Sequence, residues 1–100
     1  MADDVVRAIL EEIGAEREEQ LARGYTREQD DKRADGVLAD TAAAYATTHR
    51  LYRKGLEKYH ALPCLSRPVD GTPRRCALIM AAALLVAEIE RLDRAGGGAP

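Results

Sequence analysis

The sequence predicts an all-α fold: a small bundle of three main helices with an apolar C-terminal helix at its centre. Its 100 residues match the size of one domain. A hydrophobic content of 46% with 32% charged residues is typical of a folded chain. Phe and Trp are absent and alanine and arginine are abundant, which favours helix over sheet. We expect one helical domain over residues 1–95 and a disordered, glycine-rich tail over 96–100.

The first helix is predicted over residues 4–23. Asp3 or Asp4 is placed to cap its start, and Gly24 suits the left-handed position at its end. Spacings of three and four define a mainly apolar stripe of Val6, Leu10, Ile13, Arg17 and Leu21. The opposite face is acidic and carries Glu11, Glu12, Glu18 and Glu19.

Residues 24–36 lack a sustained hydrophobic period and have a glycine at each end, which predicts an ordered loop. Thr26 is placed to start one helical turn inside it. Asp30, Asp31 and Asp35 lack the spacing of a calcium loop and are expected to cap turns.

The second helix is predicted to begin after Gly36 and to run toward Tyr59. Its stripe alternates steps of four and three, as in a heptad repeat, through Leu38, Ala42, Tyr45, His49, Tyr52, Leu56 and Tyr59. The Thr47-Thr48 pair and Gly55 are weak points, where two shorter helices are the alternative. Within the stripe, His49 is a candidate general base or metal ligand, but a hydrogen-bonded core or interface histidine is the favoured interpretation.

The third helix is predicted over residues 73–94, after a proline-containing connector over 61–72. Thr72 is expected to cap it, with Pro73 at its first helical position. Twelve apolar residues run from Cys76 to Ala87, fewer than the 20 or so that a membrane span needs. This run therefore predicts a buried central helix.

The net charge of −2 is unevenly distributed. Residues 1–31 carry ten acids and four bases, whereas residues 32–79 carry four acids and nine bases. No basic excess dominates the whole chain, so nucleic acid is an unlikely partner. The acidic start does not resemble a secretory signal, and we expect the cytoplasm of a bacterial host, with no membrane partner. Cys64 and Cys76 are expected to be reduced thiols, with one bridge between them as the alternative.

Several short motifs occur in a characteristic order: Glu16-Arg17-x-x-Gln20, Gly24-Tyr25-Thr26, Asp30-Asp31 and, near the end, AEIERLDR over residues 87–94. This order resembles a group of small helical proteins encoded by bacteriophages and prophages. The resemblance covers most of the chain except residues 47–66. In that group the position of Tyr25 is often Trp, and a Trp-Pro-Trp segment that this chain lacks often precedes the last helix. The resemblance implies an all-helical protein of phage origin.

That group is distantly similar to the MazG-like nucleotide pyrophosphohydrolases, all-helical enzymes that hold Mg²⁺ with carboxylates of two motifs. Of those motifs this chain has a literal Glu-x-x-Asp at Glu90 and Asp93, whereas its first acidic cluster has the wrong spacing. Under this alternative the resemblance implies Glu12, Glu16, Glu90 and Asp93 as the ligands of Mg²⁺. The favoured interpretation has no catalytic residue, no metal site and no cofactor.

Arg17 stands on the apolar stripe of the first helix, and Glu88 closes the apolar run of the last one. A carboxylate site with an arginine clamp is one interpretation. A structural ion pair between Arg17 and Glu88 is favoured, because an arginine among apolar neighbours needs a partner.

The basic middle of the chain, with two tyrosines of the second stripe, is the predicted partner-binding surface. Its residues are Arg50, Tyr52, Arg53, Lys54, Lys58 and Tyr59. Arginine and tyrosine are enriched at binding hot spots. We therefore expect a non-enzymatic phage-type module that binds a host protein or protein complex, for example as an inhibitor of a CRISPR effector. The alternatives are the pyrophosphohydrolase above and a nucleic-acid-associated regulator that uses the basic middle. A monomer and a homodimer are both compatible with the tyrosine-rich stripe.

Overall fold

The structure, a computed structural model, describes residues 2–24, 26–32, 36–47, 54 and 72–96. The main elements in these ranges are all helical, which confirms the predicted all-α fold. In chain order they are α1 (Ala2–Ala22), α2 (Arg27–Asp31), α3 (Val37–Ala46) and α4 (Arg74–Arg94).

Helix α4 lies at the centre of the described bundle, as predicted, because α1, α2 and α3 all pack against it. The most extensive of these interfaces is the one with α3. Among the described residues, the buried apolar cluster comes from α3 and α4 and consists of Leu38, Ala42, Tyr45, Ala77, Met80, Ala81, Leu84 and Ala87. Its many alanines let the two helices approach closely, so small changes in side-chain volume will be felt there.

Only one face of α4 is buried. The opposite face exposes 37–57% of each of five large aliphatic side chains: Leu78, Leu85, Val86, Ile89 and Leu92. The prediction of a buried helix is therefore wrong for this face. An unbroken apolar run reveals that a helix has no polar side, but not how many of its sides have neighbours.

Helix α1 begins at Ala2, two residues before the predicted start, and ends at Ala22. Asp3 and Asp4 consequently lie in its first turn instead of capping it. In that position their negative charges still stabilise the positive end of the helix dipole. Gly24 follows in the left-handed conformation (φ 99°), as predicted.

The predicted helical turn after Thr26 is confirmed as α2. The backbone N–H of Gln29 donates to the Thr26 hydroxyl oxygen at 3.3 Å, so the threonine caps the helix. The helical turn extends to Asp31, and residues 33–35 of the predicted loop lie outside the described residues.

Helix α3 begins after Gly36, as predicted, but Thr47 has an extended backbone (φ −79°, ψ 145°). A continuous helix to Tyr59 is therefore wrong, and the chain leaves the helix at the first weak point. Threonine is a poor helix former because its branched side chain loses rotamer freedom there. The rest of the predicted stripe, from His49 to Tyr59, lies outside the described residues.

Helix α4 starts one residue later than predicted. Pro73 is its cap residue, with an extended ψ of 141°, and its carbonyl accepts from Ala77 N–H at 2.9 Å. The predicted cap, Thr72, thus lies one position too early to fulfil that role. At the other end Gly96 has a φ of 79°, and residues 97–100 lie outside the described ranges.

Candidate functional site: an arginine–carboxylate cluster and an exposed apolar face

Arg17 of α1 is buried between carboxylates from two other helices. Only 6% of the residue is exposed. Its Nη2 donates to Asp30 Oδ2 of α2 at 3.0 Å, and its Nε donates to Glu90 Oε1 of α4 at 2.8 Å. Asp30 is itself 1% exposed. One guanidinium therefore links three helices in a place where its charge would be costly without partners.

Glu90 is shared between two arginines. Its second carboxylate oxygen accepts from Arg27 Nε at 3.0 Å. Partial burial on its own raises the pKa of Glu90, but the hydrogen bonds and charges of Arg17 and Arg27 outweigh it and hold this pKa below its ordinary value of 4.5. Glu90 is therefore ionised at neutral pH and attaches both α1 and α2 to α4.

An exposed ion pair also joins α2 to α4. Arg94 donates to Asp31 Oδ1 through Nη2 at 2.9 Å and through Nε at 3.1 Å. These hydrogen bonds raise the pKa of Arg94 above its ordinary value. A shallow cavity of about 170 Å³ lies beside the pair and is lined by Asp31, Arg91, Arg94 and Ala95. We call Arg17, Arg27, Asp30, Asp31, Glu90 and Arg94 the Arg17 cluster.

The predicted ion pair between Arg17 and Glu88 is wrong. Glu88 instead accepts from Arg91 Nε, three residues further along α4, and this hydrogen bond raises the pKa of Arg91. Glu88 and Glu90 are two residues apart, so they point about 200° away from each other around the helix. The sequence identified Arg17 as an arginine that needs a partner, but the partner is the carboxylate on the side of α4 that faces α1 and α2.

The four carboxylates of the alternative magnesium site are dispersed. Glu12 accepts from both Nη atoms of Arg75 at 2.6 and 2.7 Å, and this contact lowers the pKa of Glu12. Glu16 accepts from Arg23 at 3.0 Å, Glu90 belongs to the Arg17 cluster, and Asp93 is exposed. Within the described ranges, no three His, Cys, Asp or Glu side chains converge to hold a metal ion. The predicted ligand set is therefore not assembled here.

Gln20 lies one turn beyond Arg17 on α1 and is 5% exposed. Its Nε2 is 3.4 Å from Glu16 Oε2, but its Oε1 is buried and has no hydrogen-bond partner in the structure. A buried acceptor without a donor is uncommon in folded proteins and destabilises them.

Three of the four motifs behind the resemblance meet at the Arg17 cluster. Tyr25, of the fourth motif, lies outside the described residues. Glu16, Arg17 and Gln20 come from α1, the aspartate pair from α2, and Glu90 from α4. Sequence reasoning missed Asp30, Arg27 and Arg94 as members of this cluster. A guanidinium has five N–H donors, so a buried arginine with only one predicted partner needs further acceptors. That requirement could have pointed to Asp30.

A second surface of interest is apolar. Residues 3–12 of α1 are all exposed, and four of them are aliphatic side chains with exposures of 38–62%: Val5, Val6, Ile9 and Leu10. The outer face of α4 is a further exposed apolar surface. Large exposed apolar patches mark interaction sites more often than chance.

Of the predicted partner-binding residues, the structure describes Lys54 alone, and its side chain is exposed. The other five lie outside the described residues: Arg50, Tyr52, Arg53, Lys58 and Tyr59. Their role stays a prediction.

None of the described helices combines the length and the apolar character required to cross a bilayer. In comparisons with known proteins, the sequence matches no model of a protein family, no curated protein and no solved structure. The resemblance to phage-encoded helical proteins therefore stays a prediction based on the motifs alone.

Proposed function

We propose that this chain is a non-enzymatic, phage-type module that binds a protein or protein complex in the cytoplasm of a bacterial host. An inhibitor of a host defence complex, such as a CRISPR effector, is the concrete form of this proposal. The observation that supports it most is the group of exposed aliphatic side chains on α1, Val5, Val6, Ile9 and Leu10, because exposed apolar patches often mark interaction sites.

The Arg17 cluster also supports this proposal. The buried carboxylates of the Arg17 cluster are already matched by guanidinium groups, as in a structural network that fixes helix orientation. A catalytic carboxylate set would instead leave oxygens available to a cation or a water molecule.

The predicted contact surface is the basic middle of the chain. Its four cations offer contacts to an acidic groove, and Tyr52 and Tyr59 add amphipathic contact area. The basic middle fits an acidic host surface, whereas the strongly acidic residues 1–31, which include α1, would fit a basic one.

A binding experiment with charge-reversed variants tests the proposal. Tagged protein should capture a host complex, and Arg50→Glu with Arg53→Glu should abolish capture while the helical content and melting temperature stay unchanged. The matched control reverses two exposed cations elsewhere, Lys32 and Arg74, and should leave capture intact. Equal capture by both double variants would contradict the predicted surface.

A functional assay tests the concrete form. Expression of the protein in a bacterium with an active CRISPR system should restore plaque formation by a targeted phage, and the Arg50→Glu, Arg53→Glu variant should not. Loss of the effect in the control variant as well would place the contact outside the basic middle.

The pyrophosphohydrolase alternative is favoured by one observation, the convergence of three family motifs at the Arg17 cluster. It is tested by incubation with nucleoside triphosphates and Mg²⁺, for which we expect no release of pyrophosphate. Turnover that requires Mg²⁺ and disappears in Asp93→Asn would establish the alternative instead.

A further inference from the structure

The exposed face of α4 has the pattern of a coiled-coil seam. Its apolar residues follow one another in steps of four, three, four and three along the helix. They are Leu78, Ala82, Leu85, Ile89 and Leu92, which we call the α4 seam. Apolar residues repeated every 3.5 positions on average form the line along which one helix packs against another. The buried face of α4 lies on the opposite side, so the seam is separate from the core.

The seam is exposed over its whole length. Each of its four large side chains is 39–57% accessible, and Ala82 is half-buried. Together they present apolar surface on the order of a few hundred Å², the size of the largest apolar patch on a typical monomer, which is often functional. A patch of this size corresponds to an interface at the small end of the range for protein pairs.

Charge indicates what fits the seam. Beside its N-terminal end stand Arg74 and Arg75, and beside its C-terminal end stands Asp93. Arg75 also binds Glu12, and the nearby Glu88 is paired with Arg91 of its own helix. Two copies in parallel would place like charges side by side at both ends. Two antiparallel copies place the basic end of each against the acidic end of the other, and their helix dipoles oppose as well.

The apolar layers are self-complementary in the same arrangement. With the axis midway between residues 82 and 85, Leu78 of one copy lies level with Ile89 of the other, and Ala82 lies level with Leu85. Each small seam residue thus faces a large one, as interdigitating layers require. On this axis residue 92 lies level with residue 75, so Arg75 of one copy comes beside Asp93 of the other, and both flank the seam on the same edge.

We propose that the chain forms a symmetric homodimer in which the α4 seams of two copies pack antiparallel. The contact is isologous, so it closes on itself and leaves no seam open for further copies. It goes beyond the proposed function, because the seam lies outside the basic middle and both copies keep that region for a partner.

Sedimentation equilibrium of the full chain over a concentration series tests the dimer. We expect a monomer–dimer equilibrium with a dissociation constant on the order of 1–100 µM, in keeping with the small interface. Leu85→Glu with Ile89→Glu should weaken it at least about tenfold, because each substitution buries a charge at the contact. Leu10→Glu is the matched control on α1, at a side chain of similar exposure, and should change the constant less than about twofold.

Circular dichroism distinguishes loss of the dimer from loss of the fold, since the monomeric variant should keep the helical content of the parent. A chain that stays monomeric up to about 500 µM would overturn the proposal. So would a dimer that the seam variant forms as readily as the parent does.

A distance measurement tests the orientation. Spin labels at Ala95→Cys, in a chain with Cys64→Ser and Cys76→Ala, should lie roughly 35 Å apart in the antiparallel dimer, since residue 95 is eleven to twelve residues from the axis. A separation of roughly 10–15 Å, the spacing of neighbouring parallel helices with their labels, would overturn the antiparallel arrangement.

Discussion

Helix α4 is packed against α3 by apolar contacts and against α1 and α2 by ion pairs. On the α3 side the buried residues are aliphatic, alanine or aromatic, apart from Thr41, whose hydroxyl donates to the Val37 carbonyl within its own helix at 2.7 Å. On the other side the buried residues of α1 and α2 are Arg17, Gln20 and Asp30. The first interface is non-directional, and the second depends on particular pairs of atoms.

This difference predicts which substitutions the fold tolerates. An apolar interface accepts another hydrophobic residue of similar volume at a small cost. A buried ion pair does not accept the loss of one partner, because the remaining charge stays in a place with little water. The two sides of α4 should therefore respond in opposite ways to conservative changes.

The largest effect is expected at Arg17. Arg17→Met keeps the volume of the side chain but leaves the buried carboxylate of Asp30 without its guanidinium. We expect a loss of about 3–5 kcal/mol in the free energy of unfolding, measured by chemical denaturation.

A compensating variant sharpens this prediction. Arg17→Met with Asp30→Leu removes both charges, and Glu90 keeps Arg27 as a partner, so much of the loss should be recovered. Glu88→Ala, at the carboxylate that does not contact Arg17, should cost less than Arg17→Met. If Glu88→Ala cost as much, a role for Arg17 as the partner of Asp30 and Glu90 would be contradicted.

On the apolar side the matching experiment uses two leucines that the sequence placed on apolar stripes. Leu38 is buried in α3, so Leu38→Ala should cost about 2–5 kcal/mol through lost burial and the cavity left behind. Leu10 is exposed on α1, and Leu10→Ala should change stability by less than about 0.5 kcal/mol. Similar losses in both would mean that Leu10 is covered in solution.

Leu38→Met should be tolerated, in contrast to Arg17→Met.

Sequence periodicity predicted the apolar interface well and the polar one poorly. The stripe through Leu38, Ala42 and Tyr45 is buried against α4, because hydrophobic burial depends on which face a residue occupies and little else. The same reasoning failed for Val6 and Leu10 on α1, which share a stripe with Arg17 but lie beyond the end of the packed region. Periodicity defines a face, but it does not say how far along the helix that face is covered.

Predicting an ion-pair partner requires more than knowing which face of a helix a residue occupies. Arg17 was identified as a buried cation from sequence, yet Glu88 and Glu90 differ as its partner only through the rotation of α4. That rotation is determined by the alanine-rich contact with α3 and cannot be derived from α1. Asp30 was assigned to a turn because its helix has only five residues, and such short helices have no period to detect.

Acid should loosen the polar interface first. The pKa of Glu90 is lower in the folded chain than its ordinary value of 4.5, so near pH 4 the unfolded chain binds more protons than the folded one. Its contribution to stability is present above about pH 4.5 and is lost as the pH falls through the folded pKa. The melting temperature should decline over that range.

Glu90→Gln isolates this contribution. The amide cannot ionise, so the variant should be less stable at pH 7 and should lose part of the decline below pH 4.5, as measured by thermal melts at several pH values. Glu18→Gln, at an exposed carboxylate of α1, serves as the control and should keep the parental profile. A parental profile in Glu90→Gln would show that other carboxylates govern the acid response.

The smallest change is expected at Gln20, the one buried side chain of α1 whose acceptor has no donor in the structure. Gln20→Met keeps the length of the side chain and removes the unsatisfied oxygen at the cost of one long hydrogen bond to Glu16. Because an orphaned acceptor carries its full desolvation penalty, the free energy of unfolding should stay within about 1 kcal/mol of the parent or rise. Gln20→Glu, which keeps the shape but adds a buried charge next to Glu16, should destabilise the chain clearly. A loss in Gln20→Met comparable to that in Arg17→Met would mean that Oε1 accepts a hydrogen bond in solution, and the polar side of α4 would then depend on a donor as well as on its ion pairs.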